Sequence, residues 1–480
     1  MRTSILFTSL VLIGALLIRI PLMDDSLWYD EIAAFWYYGQ FGPGPILGNM
    51  FTPANHITQS LASWSFAALN AGSLDPITLR LPALLVGLAS LWPMWTLCRE
   101  SLGQRWSLLG IILLAASPIA VLESTEARGY AFMLFFSTSA CALMTLYLRE
   151  KRYELLPWYA LCCGLGIWSH LVTVVVPIAH ACLLVWLVCM NQPMNRRAFW
   201  GLASIALAAV TTCTLLAPIL PQLWEGSAEY QALQADQPTL LGREGRWLVL
   251  GLGGSWAYLG GAAGLLLVVC GVVSARNKPE LMRGLVVCGL PIAVALGLIL
   301  LIGTWIYARF LILGLPFSIL AITAGIGWMS QRTRVAGALL LILLLVGWGS
   351  DLRDRYDIPR QPLRAIMQCI PTDESRIGVV GVVDFPIIVS WYASNPERIV
   401  NCGETLETAS EYLRPKDIEW LVVGYPRKTI PNLGTEASIR PGDETLLKGF
   451  TVTEFKQGWI DEDGSIILLK RNSKNPSDQS

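Results

Sequence analysis

Four short stretches of this 480-residue chain gather side chains able to do acid–base or anion chemistry. The first is Trp28-Tyr29-Asp30-Glu31, two adjacent carboxylates flanked by aromatics and Ile32. A carboxylate can take a proton as a general base or serve as a hard-metal ligand. His56 follows in the same polar region and is, with Glu31, the residue to consider for a metal. The second stretch is Glu123-Ser-Thr-Glu126-Ala-Arg128-Gly129-Tyr130, and the third is Trp305-Ile-Tyr307-Ala-Arg309-Phe310. A guanidinium can hold a phosphate through two parallel hydrogen bonds. His170 is a fourth, within the apolar run 157–190. Each stretch also has a plainer explanation. Asp30 and Glu31 could be solvated loop charges, Glu126 could simply pair with Arg128, and Arg309 could snorkel to a membrane surface. His180, inside an apolar run, reads as a core histidine.

The elements that must position these residues are membrane helices. Apolar residues make up 54% of the chain, charged residues only 15%, and mean hydropathy is +0.52. Lys+Arg and Asp+Glu are both 35. That balance excludes a nucleic-acid binder relying on a broad basic field, and the composition excludes a disordered chain. The charges are uneven: 36 of the 70 fall in residues 351–480. The expectation is therefore a multi-span domain over 1–350 with a large first outer loop at 21–78. A small extracytoplasmic α/β domain over 351–472 and a disordered tail at 473–480 would follow.

A bilayer-crossing helix needs about 20 mostly apolar residues. Such runs occur at 4–20, 79–98, 107–122, 129–148, 199–219, 247–273, 284–303, 310–330 and 335–350. Residues 157–190 contain no Asp, Glu, Lys or Arg. One helix of that length would extend about 51 Å, against a hydrocarbon core of about 30 Å. Two short crossings turning near Trp168–Leu171 fit better, giving about 11 spans. With the N-terminus cytoplasmic, 13 Lys/Arg before residue 351 fall on inner segments and six on outer ones, as the positive-inside rule requires. The split of 157–190 is needed for this balance. All four chemistry-bearing stretches then lie on the outer side, at the depth of a lipid headgroup. Within 21–78, two amphipathic aromatic stretches, about 29–38 and 56–69, suit helices at the interface.

Nine of the 11 cysteines fall in expected spans as packing residues; no CxxC or metal-like Cys/His spacing occurs. Cys369 and Cys402 lie in the outer domain, where a disulfide is open in an oxidising compartment. There, 376–383, 418–425 and 465–470 read as strands, and 359–370 and 385–394 as helices.

Taken in order, WYDE (28–31), TPANHITQSLASW (52–64), LRLPALLVGLAS (79–90), SPIAVLESTEARGYA (117–131) and YARFLILGLP (307–316) resemble the membrane glycosyltransferases of the GT-C fold over about residues 1–330. The resemblance is to the bacterial branch similar to dolichyl-phosphate-mannose protein mannosyltransferases, which includes lipid A galacturonosyl- and aminoarabinosyltransferase-like proteins. It implies a cytoplasmic-membrane enzyme of the cell envelope. Such an enzyme moves a sugar from a polyprenyl-phosphate carrier to a lipid, glycan or protein acceptor on the extracytoplasmic face, usually with inversion. It implies Asp30 as general base with Glu31 beside it. Arg128 and Arg309 would hold the carrier phosphate, with His56, Glu126, Tyr130, His170 and Tyr307 as further contacts. Some relatives bind a divalent cation, and whether this chain does stays open. No P-loop, and no GxGxxG between a strand and a helix, is present. An already activated sugar phosphate needs no nucleotide site. The rival reading, a lipid or solute transporter or flippase, would predict ionisable groups in mid-span and inverted repeats.

Overall fold

The computed structural model describes residues 2–50, 55–190, 196–223, 225, 257–302, 308–372, 375–382, 384–413, 418–430, 440–443, 446–459 and 464–472. Two compact units result: residues 1–24 with 37–354, and residues 25–36 with 355–480.

The first unit is helical. Among the described residues, eight helices are long and apolar enough to cross a membrane. Three more expected crossings are met by shorter or broken helices. Arg2–Met23 carries Pro21 near its end. Gln104–Ala116 stops at Ser117, whose extended backbone precedes Pro118, and resumes as Pro118–Glu123; a residue before proline is pushed out of the helical region. The 157–190 run breaks where expected. Leu156–Ser169 ends, His170 is extended at φ −160°, and a 3-10 turn Leu171–Val174 leads into Val175–Met190. His170 itself caps that turn, its Nδ1 accepting from the Val172 amide at 3.4 Å. The first ten residues of the expected span 247–273 lie outside the described residues, as do Tyr307 and the tail 473–480.

The 310–330 run begins with a 3-10 segment, Ala308–Gly314, before helix Leu315–Arg332. The expected span 335–350 is longer than its apolar run: the helix extends from Arg334 to Asp357. Small residues set helix spacing in this unit. A Cβ on Gly271 would fall on the Ala321 carbonyl, and one on Gly325 would fall on the Leu267 carbonyl. This is the close backbone approach that glycine permits between membrane helices.

The two amphipathic stretches of the first loop form helices Tyr29–Tyr37 and Ile57–Leu69. The second is anchored at its start. Asn55 Nδ2 donates to the carbonyls of Ile46 and Asn49, both at 2.9 Å, while its Oδ1 accepts from Ser60 Oγ at 3.0 Å. The next helix, Pro76–Ala89, is capped by Asp75, which accepts from the Thr78 amide at 2.9 Å.

The second unit is an α/β sheet of order β2-β1-β3-β5-β4. Its strands are β1 (Arg376–Val380), β2 (Ile399–Asn401), β3 (Ile418–Gly424), β4 (Phe450–Lys456) and β5 (Ile466–Arg471). β1 pairs in parallel with both β2 and β3; β5 pairs antiparallel with β3 and β4. Three of the strands are the expected ones. β2 is too short to show a pattern, and β4 alternates Thr, Glu and Lys with its apolar residues. The expected helices are present but trimmed: Leu363–Met367 begins only after Pro362, and the other is Phe385–Ser390. The core packs Val380, Leu421, Val423, Ile467 and Leu469 against Ala409 and Leu413 of helix Leu406–Leu413. Cys402 is buried in this core and Cys369 is exposed; both are free thiols.

β1 is flanked by β2 on one side and β3 on the other, so the winding direction reverses between β1 and β3. In parallel α/β sheets the crevice at the carboxyl ends of such strands is where functional elements gather. Here it holds two non-glycine residues with left-handed backbone, Asp384 (φ 65°) and Tyr425 (φ 52°). Phe385 packs its ring on Tyr425 at 5.8 Å.

Candidate active site

In the helical unit, residues from four stretches distant in sequence converge. His56 stands at the start of helix Ile57–Leu69. Arg128 and Tyr130 come from the polar break before helix Tyr130–Glu150. His170 comes from the broken run, and Arg309 and Phe310 from the 3-10 segment. The His56 ring centroid is 5.0 Å from that of His170 and 5.3 Å from that of Tyr130. Tyr130 and His170 are 5.3 Å apart, and Phe310 lies 4.7 Å from His170. Both guanidinium carbons, of Arg128 and of Arg309, are 5.9 Å from the centre of the Tyr130 ring. Arg309 Nε also donates to the Tyr130 hydroxyl at 2.9 Å. All of these side chains except Phe310, which is half-buried, are buried.

The loop that carries Arg128 is itself held from behind. Glu123, Ser124, Thr125 and Glu126 are buried. Arg19 donates to Ser124 Oγ at 2.7 Å and to the carbonyls of Ala15 and Ala115 at 2.8 and 3.0 Å. The Arg128 amide donates to the Glu126 carbonyl at 2.7 Å, closing the turn. Of the arginines expected on the outer side, Arg19 and Arg80 have such structural duties; Arg80 donates to the Leu22 carbonyl at 3.0 Å. His180 is the core histidine expected: its Nδ1 meets Tyr159 Oη at 2.9 Å and its Nε2 meets the Val287 carbonyl at 3.1 Å.

Partners fix the two histidine tautomers. His56 Nδ1 faces the Ser169 carbonyl at 3.3 Å, so it donates and leaves Nε2 as an acceptor. His170 Nδ1 accepts from Val172, so its proton is on Nε2. Burial pushes the His170 pKa down to about 3, helped by Arg128 and Arg309. Burial likewise holds His56 well below its ordinary value, with Arg128, His170 and Arg309 adding and the Ser169 carbonyl opposing. Both rings are neutral at neutral pH. Burial is the larger cause of both shifts, and the two guanidiniums add positive charge beside the two neutral rings, a setting that can receive an anion.

Unfolded histidine takes up its proton near pH 6.5; the folded rings do not. Their contribution to stability is therefore full above about pH 6.5. It falls as pH drops below that value, by up to about 1.4 kcal/mol per pH unit per ring, until the folded pKa, about 3 for His170, is reached. The thermal midpoint in detergent is expected to fall between pH 7 and pH 5, and the His56→Gln/His170→Gln variant to flatten that fall. An equal fall in the variant would contradict the assignment.

Gly129, between the two key side chains, is a close-approach glycine missed in the sequence. A Cβ there would lie 2.6 Å from the Ser169 carbonyl oxygen and 2.7 Å from His56 Nδ1. The carbonyl is main chain and cannot swing away. Gly129→Ala is expected to lower the unfolding midpoint in detergent, with an overpacking cost of about 1–3 kcal/mol; an unchanged midpoint would show that the loop yields freely. Phe310 was also missed as a site residue. The signals were present, a glycine inside a polar break and an aromatic directly after Arg309, but neither bears chemistry by itself.

Asp30 and Glu31 belong to the sheet unit. Glu31 is buried, and its Oε2 accepts from the Trp28 amide at 3.2 Å, closing the first turn of its own helix. This is one half of a capping box. Asp30, beside it, is half-buried. Thus His56, Arg128, Tyr130, His170 and Arg309 come together in one unit, with Glu126 in the turn that carries Arg128, while Asp30 and Glu31 lie in the other. Among the described residues no three His, Cys, Asp or Glu side chains gather into a set that could hold a metal ion. His56 is a poor nucleus for one, since the nearby guanidiniums repel cations.

Residues 61–215 match the family model described as dolichyl-phosphate-mannose-protein mannosyltransferase. No curated protein sequence matches the chain. Among solved structures, ArnT from Cupriavidus metallidurans bound to undecaprenyl phosphate is similar at 13% identity and a TM-score of 0.56, covering 98% of each chain. The same protein in the apo state gives 0.54 over 97% of each chain at 13% identity. The Archaeoglobus fulgidus oligosaccharyltransferase in the apo form gives 0.52 at 13% identity, over 87% of this chain and 70% of that one. The chain is thus an integral membrane protein with the GT-C fold of ArnT, and its helical unit carries the match to the mannosyltransferase family model.

Proposed function

We propose that the protein is a glycosyltransferase that takes a sugar from a polyprenyl-phosphate carrier and passes it, with inversion, to a hydroxyl of a lipid, glycan or protein acceptor. The observation that carries this reading is the buried pair of guanidiniums, Arg128 and Arg309, set against one face-sharing tyrosine and two neutral histidines. The family match and the binding of undecaprenyl phosphate by the similar ArnT support the same substrate class.

In this reading the acceptor oxygen attacks the anomeric carbon while the bond from that carbon to the phosphate oxygen breaks. The electron pair leaves on the phosphate, and polyprenyl phosphate is released. Arg128 and Arg309 offset the charge that develops there, which fixed donors in a water-poor site do most effectively. Tyr130 holds Arg309 in place through its hydroxyl. Asp30 takes the acceptor proton, which needs approach to about 3 Å. Glu31, engaged in capping its own helix, is assigned a structural part. The chemistry is assigned to the extracytoplasmic face of the cytoplasmic membrane, with the N-terminus cytoplasmic, on the strength of the Lys/Arg distribution.

Undecaprenyl phosphate is the direct probe. Quenching of tryptophan fluorescence in the purified protein is expected to saturate with it and to weaken at least tenfold in Arg128→Ala/Arg309→Ala. Equal binding of undecaprenol, which lacks the phosphate, would overturn the reading.

A further inference from the structure

The helix that carries Asp30 starts in an unusual way. The first amides of a helix lack partners within it, and a nearby Ser, Thr, Asp or Asn normally supplies one. Here the residue before the helix is Trp28, which has no acceptor in its side chain. Glu31 of the same helix takes the Trp28 amide, but the Tyr29 amide, and the Leu27 amide just before the helix, are served by side chains more than 300 positions away within the same sheet unit. Gln361 Oε1 accepts from the Tyr29 amide at 3.0 Å, and Tyr392 Oη accepts from the Leu27 amide at 2.7 Å. In return Ser26 Oγ accepts from the Arg364 amide at 3.2 Å.

Packing fixes the same point. Trp28 is buried under the Arg360 guanidinium, whose carbon is 3.8 Å from its ring centre, and Arg360 lies 4.7 Å from Trp459 on its other side. Arg355 adds a further stack on Trp459 at 3.8 Å. Tyr29 meets Tyr425 edge-on at 6.4 Å, and Phe35 meets Trp391 at 6.0 Å. Tyr425 is one of the two left-handed residues at the carboxyl ends of β1 and β3. Such strained backbone persists only where its surroundings over-determine it. Gln361 is fully buried, and its Nε2 has no hydrogen-bond partner among the described residues. Burial leaves the side chain little room to turn, and its oxygen is committed to Tyr29.

We infer that Gln361 and Tyr392 are positioning residues for transfer: the sheet unit is the seat that fixes the Asp30-bearing helix at its first turn, and so sets where the proton acceptor stands. This rests on the assignment of Asp30 as the base. A base displaced by about 1 Å can lose about 10²-fold in rate without any loss of substrate binding.

The test uses the full chain, with transfer measured from its polyprenyl-phosphate sugar. Tyr392→Phe and Gln361→Met each remove one acceptor with little change in volume. Each is expected to lower kcat at least fivefold, and the pair together at least tenfold, with the donor KM within twofold of wild type. A merely structural effect would act on any background. Placed on Asp30→Asn, Gln361→Met is expected to lower the residual rate no further. Wild-type kcat in both single variants, with Asp30→Asn inactive, would overturn the inference alone. Full activity of Asp30→Asn would instead remove the base assignment on which it rests. If the paired variant does not fold, Tyr392→Phe, which loses one hydroxyl, still decides. A rise in donor KM with unchanged kcat would also count against the inference.

Discussion

Asp30→Asn is expected to lower the transfer rate by about 10²–10⁴-fold, the usual contribution of a general base, while the protein still folds and still binds undecaprenyl phosphate. The reason is the division of labour. The donor phosphate is assigned to Arg128 and Arg309 in the helical unit, whereas Asp30 lies in the sheet unit and is half-buried at the start of its helix. The Asn variant keeps the size and polarity of the side chain but cannot take a proton at neutral pH. Its neighbour offers no ready substitute, because Glu31 is buried and closes the first turn on the Trp28 amide. Glu31→Gln keeps an acceptor for that amide and is expected to retain most of the rate. Equal loss in both variants, read as kcat in a single-turnover assay, would contradict the separation of roles.

Arg309→Ala is expected to lower kcat/KM by about 10²–10³-fold, the range for removing one pre-set donor to a developing charge. Unlike Asp30→Asn, it is expected to raise the donor KM as well, because the ground-state phosphate is also an anion. Arg309→Lys restores the charge but not the geometry. Lysine is a point charge on a flexible stem and cannot reproduce the Nε contact to Tyr130 while offering a fork to the phosphate. Only part of the loss should therefore return. Removal of Arg309 also lifts one of the charges that depress His56 and His170. The acid-side fall in stability described above should become shallower in Arg309→Ala. Full kcat/KM in that variant would remove Arg309 from the site.

The fold was legible where composition acts over long stretches. Ten apolar runs, one of them split in two, correspond among the described residues to eight helices long enough to cross a membrane and three shorter ones, and the break at His170 followed from the length of a charge-free run against the bilayer thickness. Boundaries were less legible. The Arg334–Asp357 helix passes from its apolar run into a charged one, because helix propensity does not end with hydropathy. In the sheet unit the three strongly apolar strands were visible, while β2 and β4 were hidden by shortness and by edge polarity.

Of the site, the residue types were legible and their grouping only in part. The two arginines and His56, His170 and Tyr130 come together in the structure, which required chain segments separated by more than 250 positions to meet. That Asp30 and Glu31 belong to the sheet unit could not be read from residues 21–78, because the contacts that decide it are made by Gln361, Tyr392 and Trp391, residues with no catalytic signature. Nor could sequence divide the two carboxylates, since the capping bond of Glu31 and its deeper burial tell them apart.

The most direct test of the account is the pool of lipid-linked sugars. Polyprenyl-phosphate sugars extracted from cells carrying either the wild-type chain or Asp30→Asn, at equal expression, can be compared by mass spectrometry. The account predicts that one glycosylated polyprenyl phosphate accumulates in the Asp30→Asn cells, and that its sugar is the one transferred. An identical carrier pool in both, with the variant folded and in the membrane, would contradict the claim that the protein consumes such a donor through Asp30.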